Sequence, residues 1–285
     1  MLLLMEEGRI SAVNLEMICG KTGYIDTGYG LVAVYRSSDS EVILFDSGDE
    51  HADEIILLFD SLDLKIRAIV CTHLHYDHTA NNNILYDRYK PEIFLYGHDF
   101  ANFKMRTSPH YPYNIIDPTS DLVIDGISFK IIPTPGHTPD HLAFVTPDDV
   151  CCIGDALISQ PLLSESKLPY IEDVEQAILT MEEIRRMKYP HFLVCHKGVV
   201  LSKDMPSLID DNIKKELELY DVIQNQITAP TLIEDAVVEF MRQRKISESR
   251  IQQSYTMRNT VRARILTLAE AGEFKIEGEY IVPFK

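Results

Sequence analysis

Between Cys71 and Asn83 the chain reads CTHLHYDHTANNN, which places His73, His75, Asp77 and His78 within six positions. Imidazole and carboxylate are the donors that suit zinc and similar divalent ions. Their spacing does not follow the three-to-four-residue repeat of one helix face, so the segment predicts a loop. The run before it, KIRAIVC (65–71), is short, apolar and β-branched and predicts a buried strand that delivers the loop. His73 and His75, two apart, point to one side of an extended chain. Asp77 and His78 are adjacent and diverge, so they can serve different ions.

Later segments offer donors of the same kind, each after a strand-like run: His137 in PTPGHTPDH, Asp155 in CCIGDALIS and His196 in FLVCHKG. A lone histidine at a strand end is usually structural; a set of donors at successive strand ends is not. His-x-His-x-Asp-His after a hydrophobic strand, followed in order by His, Asp and His, resembles the metallo-β-lactamase superfamily across roughly residues 10–200. That resemblance implies an αββα sandwich and a dinuclear hydrolytic centre. His73, His75 and His137 would hold one metal, and Asp77, His78 and His196 the second, with Asp155 bridging. Zinc is the expected ion, with manganese or iron as alternatives the same donors accept. All-His/Asp ligation with open positions marks a catalytic rather than a closed structural site. Two cations lower the pKa of a shared water, so hydroxide forms near pH 7, and they polarise a carbonyl or phosphoryl oxygen. Asp77 would orient that hydroxide and carry its proton to the leaving group. In the family an Asp at the place of Asp46 usually braces the metal loop rather than ligating. The family phrase at the last ligand ends in Gly-His-Gly; here it is Cys-His-Lys-Gly, with Lys197 near a glycine's place.

The elements that must position these groups follow from pattern. Residues 8–47 read as β-rich, with GLVAVYR and EVILFDSG separated by the turn-like SSDS. Residues 50–63 have apolar side chains at helical spacing after acidic ones, the mark of an amphipathic helix. A short helix from His78 to Tyr89 and a strand at 91–98 follow. Residues 99–120, with Pro109, Pro112 and Pro118, predict a long loop whose aromatics Phe103, Tyr111 or Tyr113 either line a pocket or pack the loop down. Hairpins over 122–137 and 141–158 deliver His137 and Asp155; 159–170 is a loop, 171–189 a long helix and 191–196 the strand that ends at His196. His141 starts a strand and is read as structural, and His98 and His110 as surface or packing histidines. Another helix covers 204–227. A boundary near Ala229-Pro230 divides a catalytic domain (1–228) from a C-terminal unit (229–285). That unit has helices at 231–243, 247–255 and 257–271 and a hairpin around Glu277-Gly278, an order that resembles a winged-helix module.

Composition narrows the function. The chain has 285 residues, 45% hydrophobic and 25% charged, as ordinary globular proteins do. Its formal net charge of −17 opposes a general affinity for nucleic acid or anionic membrane. The charge is uneven: residues 229–285 carry 9 basic and 8 acidic side chains, leaving 18 and 36 for residues 1–228. MLLLMEEGRI is too short for a signal peptide or a membrane span. The 5 cysteines are odd in number and mostly in apolar runs, so they read as reduced thiols of a cytoplasmic protein, packed beside the site rather than bonded in a framework. The expected function is hydrolysis of a small ester, thioester, lactone or amide. Two alternatives stay open: an RNA-cleaving enzyme guided by Arg242, Arg244, Lys245, Arg250, Arg258, Arg262 and Arg264, as in the branch that shares such a tail, and a mononuclear iron sulfur dioxygenase. The expected partner is a small molecule, with a homodimer open and nucleic acid disfavoured by charge.

Overall fold

A computed structural model describes residues 13–28, 30–49, 51–98, 100–196 and 198–284; residues 1–12 and Lys197 lie outside them. Antiparallel strands open the chain: β1 (Leu15–Cys19), β2 (Thr22–Asp26), β3 (Leu31–Arg36) and β4 (Glu41–Phe45). Helix α1 (Ala52–Ser61) crosses to β5 (Lys65–Val70), parallel to β4. The short helices α2 (Tyr76–Thr79) and α3 (Asn82–Tyr89) lead to β6 (Glu92–Leu95), and α4 (Phe100–Thr107) to β7 (Asn114–Ile115); both strands extend the sheet in parallel. These strands form a 7-stranded sheet in sequence order.

The second sheet takes β8 (Leu122–Ile124), β9 (Ile127–Pro133), β10 (Leu142–Val145), β11 (Val150–Cys152), β12 (His191–Val194) and β13 (Gly198–Leu201), all antiparallel except β11 beside β12. Between β11 and β12 lie α5 (Gln160–Glu165) and α6 (Val174–Arg186), and after β13 comes α7 (Met205–Gln226).

Strict alternation along the strands builds the layers. Leu31, Ala33 and Tyr35 of β3 join Ile43 and Phe45 of β4 in one core between the sheets, where they meet Phe129, Leu142, Phe144 and Leu193. Val32, Val34, Val42 and Leu44 face the other way, onto Ile55 and Phe59 of α1 and Leu85 of α3. On the far side Ala143, Val145, Phe192 and Val194 pack against Ala177, Met181 and Ile184 of α6 and Ile209 of α7. The result is the αββα sandwich that the motif implied, and strands buried on both faces explain their near-continuous apolar runs.

The C-terminal elements are β14 (Thr231–Leu232), α8 (Ile233–Gln243), α9 (Glu248–Gln253), α10 (Tyr255–Glu270) and the hairpin β15 (Phe274–Glu277) and β16 (Tyr280–Pro283), with β16 between β14 and β15. They form a small α+β unit with its own apolar core. Helix α7 serves both cores: Met205, Leu208 and Ile209 pack on the second sheet, while Leu219 and Ile223, with Ile227 just past its end, pack against Phe240, Val261 and Ile265.

Two stretches differ from the sequence reading. Residues 99–120 are not one long loop but hold α4 and β7, because the prolines follow the helix instead of interrupting it. Phe103 and Tyr111 are buried in the outer core and Tyr113 stacks on Phe100, so the segment is packed down by its own aromatics. Residues 159–170 carry the short α5, started by Pro161 in the first turn, where its missing N–H costs nothing.

Phe129 is fully buried between the sheets, edge-on to Tyr35 and Phe45. Phe129→Ala should lower the unfolding free energy by about 3–5 kcal/mol, measured by urea unfolding; a loss below about 1 kcal/mol would show that the sheets do not share this core.

Candidate metal centre

The donors come from one edge of the sandwich, where strands of both sheets end. β4 ends at Asp46, β5 at the 71–78 loop, β9 before His137, β11 before Asp155 and β12 before His196. The backbone joins the sheets here: Leu142 N–H donates to Thr72 O at 2.9 Å, and Leu31 N–H to Cys195 O at 2.6 Å.

All of the predicted site residues converge. His73, His75 and His137 offer ring nitrogens within 4.8 Å of one another. A second group, equally tight, holds His78, Asp155, His196 and Cys195. The Asp155 carboxylate lies between the groups: its Oδ2 is 3.3 Å from His78 Nε2, 3.4 Å from His196 Nε2 and 3.5 Å from His137 Nε2. Asp77 stands at the cavity side of the second group, its Oδ2 3.7 Å from His196 Nε2 and 3.8 Å from His78 Nε2, with its side chain 27% exposed. Donors bound about 2.1 Å from a common tetrahedral ion lie about 3.4 Å apart, so these separations suit shared ions. Sequence reasoning did not count Cys195 among the donors; its buried thiol packs beside the second group, Sγ 3.9 Å from His78 Nε2, where small buried cysteines next to the site are expected.

A surrounding shell fixes each donor. Asp46, with a left-handed backbone at φ 66°, accepts from the Thr72 backbone N–H at 2.8 Å and from His78 Nδ1–H at 2.8 Å. Protonated on Nδ1, His78 turns a bare Nε2 to the site. His137 donates Nδ1–H to the Tyr170 carbonyl at 3.0 Å, which likewise aims Nε2 inward. His141 is no donor to the centre: its Nε2 accepts the Asp155 backbone N–H at 3.1 Å while Thr134 Oγ1 takes its other nitrogen at 2.7 Å. Gly136, at φ 131°, lets the His137 turn touch α6, because a Cβ there would sit 2.4 Å from Ala177 Cα. His98 pairs with Asp140 at the wall of the cavity and His110 with Asp87 at the surface, and neither belongs to a donor group.

Electrostatics mark the centre as a place for positive charge. Burial pushes His73 and His137 well below the ordinary imidazole range. Burial acts on His196 too, but the Asp155 carboxylate beside it prevails and holds it at about 10. His78 is raised despite its burial, with Cys195, Asp46 and Asp155 around it. Asp155 is held well below the usual carboxylate range: its burial opposes ionisation, but His196 and His78 outweigh that cost. Two buried atoms of the centre have no hydrogen-bond partner among the described residues, His73 Nε2 and Asp155 Oδ1. Bare lone pairs at the heart of a donor cluster fit divalent ions, one for each group.

Above the centre lies a cavity of about 1210 Å³. Its floor is His75, Asp77, His137, Asp155 and His196; its walls include Phe103 and Arg106 of α4, the 165–172 segment, and Lys245 to Asn259 of the C-terminal unit. Tyr170 covers one side, its ring 4.9 Å from that of His75 and 5.2 Å from that of His137.

Residues 25–196 match the model of the Metallo-beta-lactamase superfamily. A hydroxyacylglutathione hydrolase from Buchnera aphidicola is 35% identical over 129 residues, 45% of this chain and 47% of that protein. The Beta-lactamase-like protein 2 homolog of Caenorhabditis elegans is 24% identical over 192 residues, 64% of this chain and 61% of that one. The chain thus matches the first of these relatives over about half of that protein's length. Two crystal structures share the fold over nearly the whole chain. One is a metallo-beta-lactamase family protein from Thermus thermophilus (TM-score 0.70, 16% identity, covering 97% of this chain and 99% of that one). The other is a beta-lactamase domain protein from Burkholderia ambifaria (TM-score 0.74, 13% identity, covering 98% and 96%).

Asp46→Asn would set an amide N–H₂ against either the Thr72 N–H or the His78 Nδ1–H. Zinc affinity should fall by about 10–100-fold in a chelator-competition titration, with the fold retained by circular dichroism. Unchanged affinity would remove Asp46 from the bracing role.

Proposed function

Because the chain belongs to the metallo-beta-lactamase superfamily, we propose that it is a metal-dependent hydrolase of a small ester, thioester, lactone or amide, with a thioester the first to test. The observation that carries this reading is the meeting of two donor groups on one buried carboxylate, Asp155, at the floor of a cavity. His73, His75 and His137 would hold one divalent ion and Asp77, His78 and His196 the other, with Asp155 between. Zinc is the proposed ion, and iron or manganese suits the same donors. Bound there, such ions supply an activated water and polarise the acyl oxygen. The thioester preference rests on the name of the hydroxyacylglutathione hydrolase relatives and on a cavity large enough for a small acyl compound.

The side chains of this protein divide the remaining work. Asp77, on the cavity side of the centre, accepts a proton from the attacking water and returns it to the leaving group. The Tyr170 ring covers the imidazoles of His75 and His137 and excludes bulk water from that side. Arg106 and Arg250 line the cavity, and their charge favours a substrate with an anionic end.

A small substrate is also supported by the fate of the tail's arginines. Arg242 pairs with Glu248, Arg258 and Arg262 with Glu234, and Arg264 with Glu216, so four of the seven basic side chains of that cluster are neutralised within the protein and Lys245 and Arg250 are left to the cavity. We further propose residues 1–228 as the catalytic domain and 229–285 as a winged-helix-like unit that completes the cavity wall. No helix among the described residues is long and apolar enough to cross a membrane, and a cytoplasmic location is proposed.

A panel of small thioesters, esters, lactones and amides should give zinc-dependent turnover. Asp77→Asn should lower it by about 10²–10⁴-fold, and His75→Ala should abolish it. Full activity in His75→Ala would place the chemistry elsewhere.

A further inference from the structure

The largest fully buried side chain among the described residues is an arginine in the C-terminal unit, Arg264 on α10. Its ion-pair partner, Glu216 on α7, is 2% exposed and Arg264 itself 0%. A buried pair of this kind barely offsets its own desolvation, so fold stability alone does not account for it. Its remaining contacts show what it holds.

Arg264 Nη2 donates to the Pro169 carbonyl at 3.1 Å and to Glu216 Oε1 at 2.8 Å. Nη1 donates to the carbonyl and the hydroxyl of Thr260, one helical turn earlier, both at 2.8 Å. The Thr260 hydroxyl in turn accepts the Ile171 N–H at 2.9 Å and donates to the Ile171 carbonyl at 2.8 Å. Helix α10 therefore grips the residues on both sides of Tyr170. The Tyr170 carbonyl between them is the acceptor for His137 Nδ1–H, the bond that leaves His137 Nε2 bare and aimed at His75 and Asp155. The Glu172 and Asp173 N–H groups close the bracket by donating to the carbonyls of Gly136 and His137 at 3.0–3.2 Å.

From this chain of bonds we infer that Thr260 and Arg264, with Glu216, are positioning residues for the metal centre: the C-terminal unit sets the tautomer and aim of His137 by fixing the Tyr170 carbonyl. The tail is then a working part of the His73–His75–His137 group, although it supplies no donor. A carbonyl can aim His137 only if its peptide plane cannot rotate: the Ile171 N–H held by Thr260 lies in the plane of the Tyr170 carbonyl, and the Pro169 and Ile171 carbonyls held by α10 fix the planes on either side. The inference rests on the metal reading above.

The test compares wild type with Thr260→Val, Thr260→Ser and the apolar pair Glu216→Met/Arg264→Met, which leaves no charge unpaired. Each is checked for fold by circular dichroism, titrated with zinc against a chromophoric chelator, and examined by ¹⁵N–¹H NMR for the His137 ring. Thr260→Val and the double variant should stay folded, lose about 10–100-fold in affinity for one of the two ions and lose the slowly exchanging His137 Nδ1–H signal. Thr260→Ser, which keeps the hydroxyl, should restore both. Wild-type affinities and an intact Nδ1–H in folded Thr260→Val would overturn the inference, and that variant decides alone should the double variant fail to fold. Zinc uptake that is equal in every protein refutes this positioning role only. A wild type that takes up no zinc refutes the metal reading with it.

Discussion

A carboxylate sealed among imidazoles is stable only with positive charge at hand, and Asp155 is that carboxylate. Its desolvation alone would cost several kcal/mol. His78 and His196 beside it offset that cost and hold the carboxyl well below its usual range, and divalent ions would do the same. Much of the local structure serves this one group. Gly154, at φ 49°, has no side chain because a Cβ would fall 2.7 Å from His141 Nε2, and that nitrogen accepts the Asp155 N–H. The turn and the histidine beneath it are thus built for each other, and together they hold the carboxylate where three imidazoles reach it.

The two sheets make such a meeting possible. Each strand end delivers a donor on a short loop, and a shared core of Phe45, Phe129 and Phe144 fixes the distance between sheets. Loops positioned by a rigid sandwich can carry unsatisfied lone pairs that a mobile segment would bury or solvate. The cost of those orphan atoms is met by packing far from them, which is why the centre and the core cannot be considered separately.

Much of this was legible in the residues. The strands buried on both faces announced themselves as apolar runs, and the donors followed them in order. His141 was read as structural because it starts a strand, and there it holds the Asp155 backbone. The helix α4 was hidden by prolines that lie beyond its end, and the bounds of β1 and β2 within a β-rich stretch were blurred by their polar residues. Cys195 was legible as a buried thiol beside the site but not as a neighbour of His78, because the direction of a side chain just past a strand's end depends on how the next loop turns. The grip of Thr260 and Arg264 on Pro169 and Ile171 was equally invisible: it joins segments about ninety residues apart, and nothing in the pattern told which of the tail's arginines would be buried. Composition hinted at a tail of different charge balance but not at where its arginines point.

The central claim is that Asp155 joins two cation sites into one centre. The most direct measurement is calorimetric titration of metal-stripped protein with zinc, in wild type and in Asp155→Asn. Two ions per wild-type chain, with both affinities weakened in the variant, is the result this account predicts. Uptake of none, or a variant that binds both ions as tightly as wild type, would contradict it.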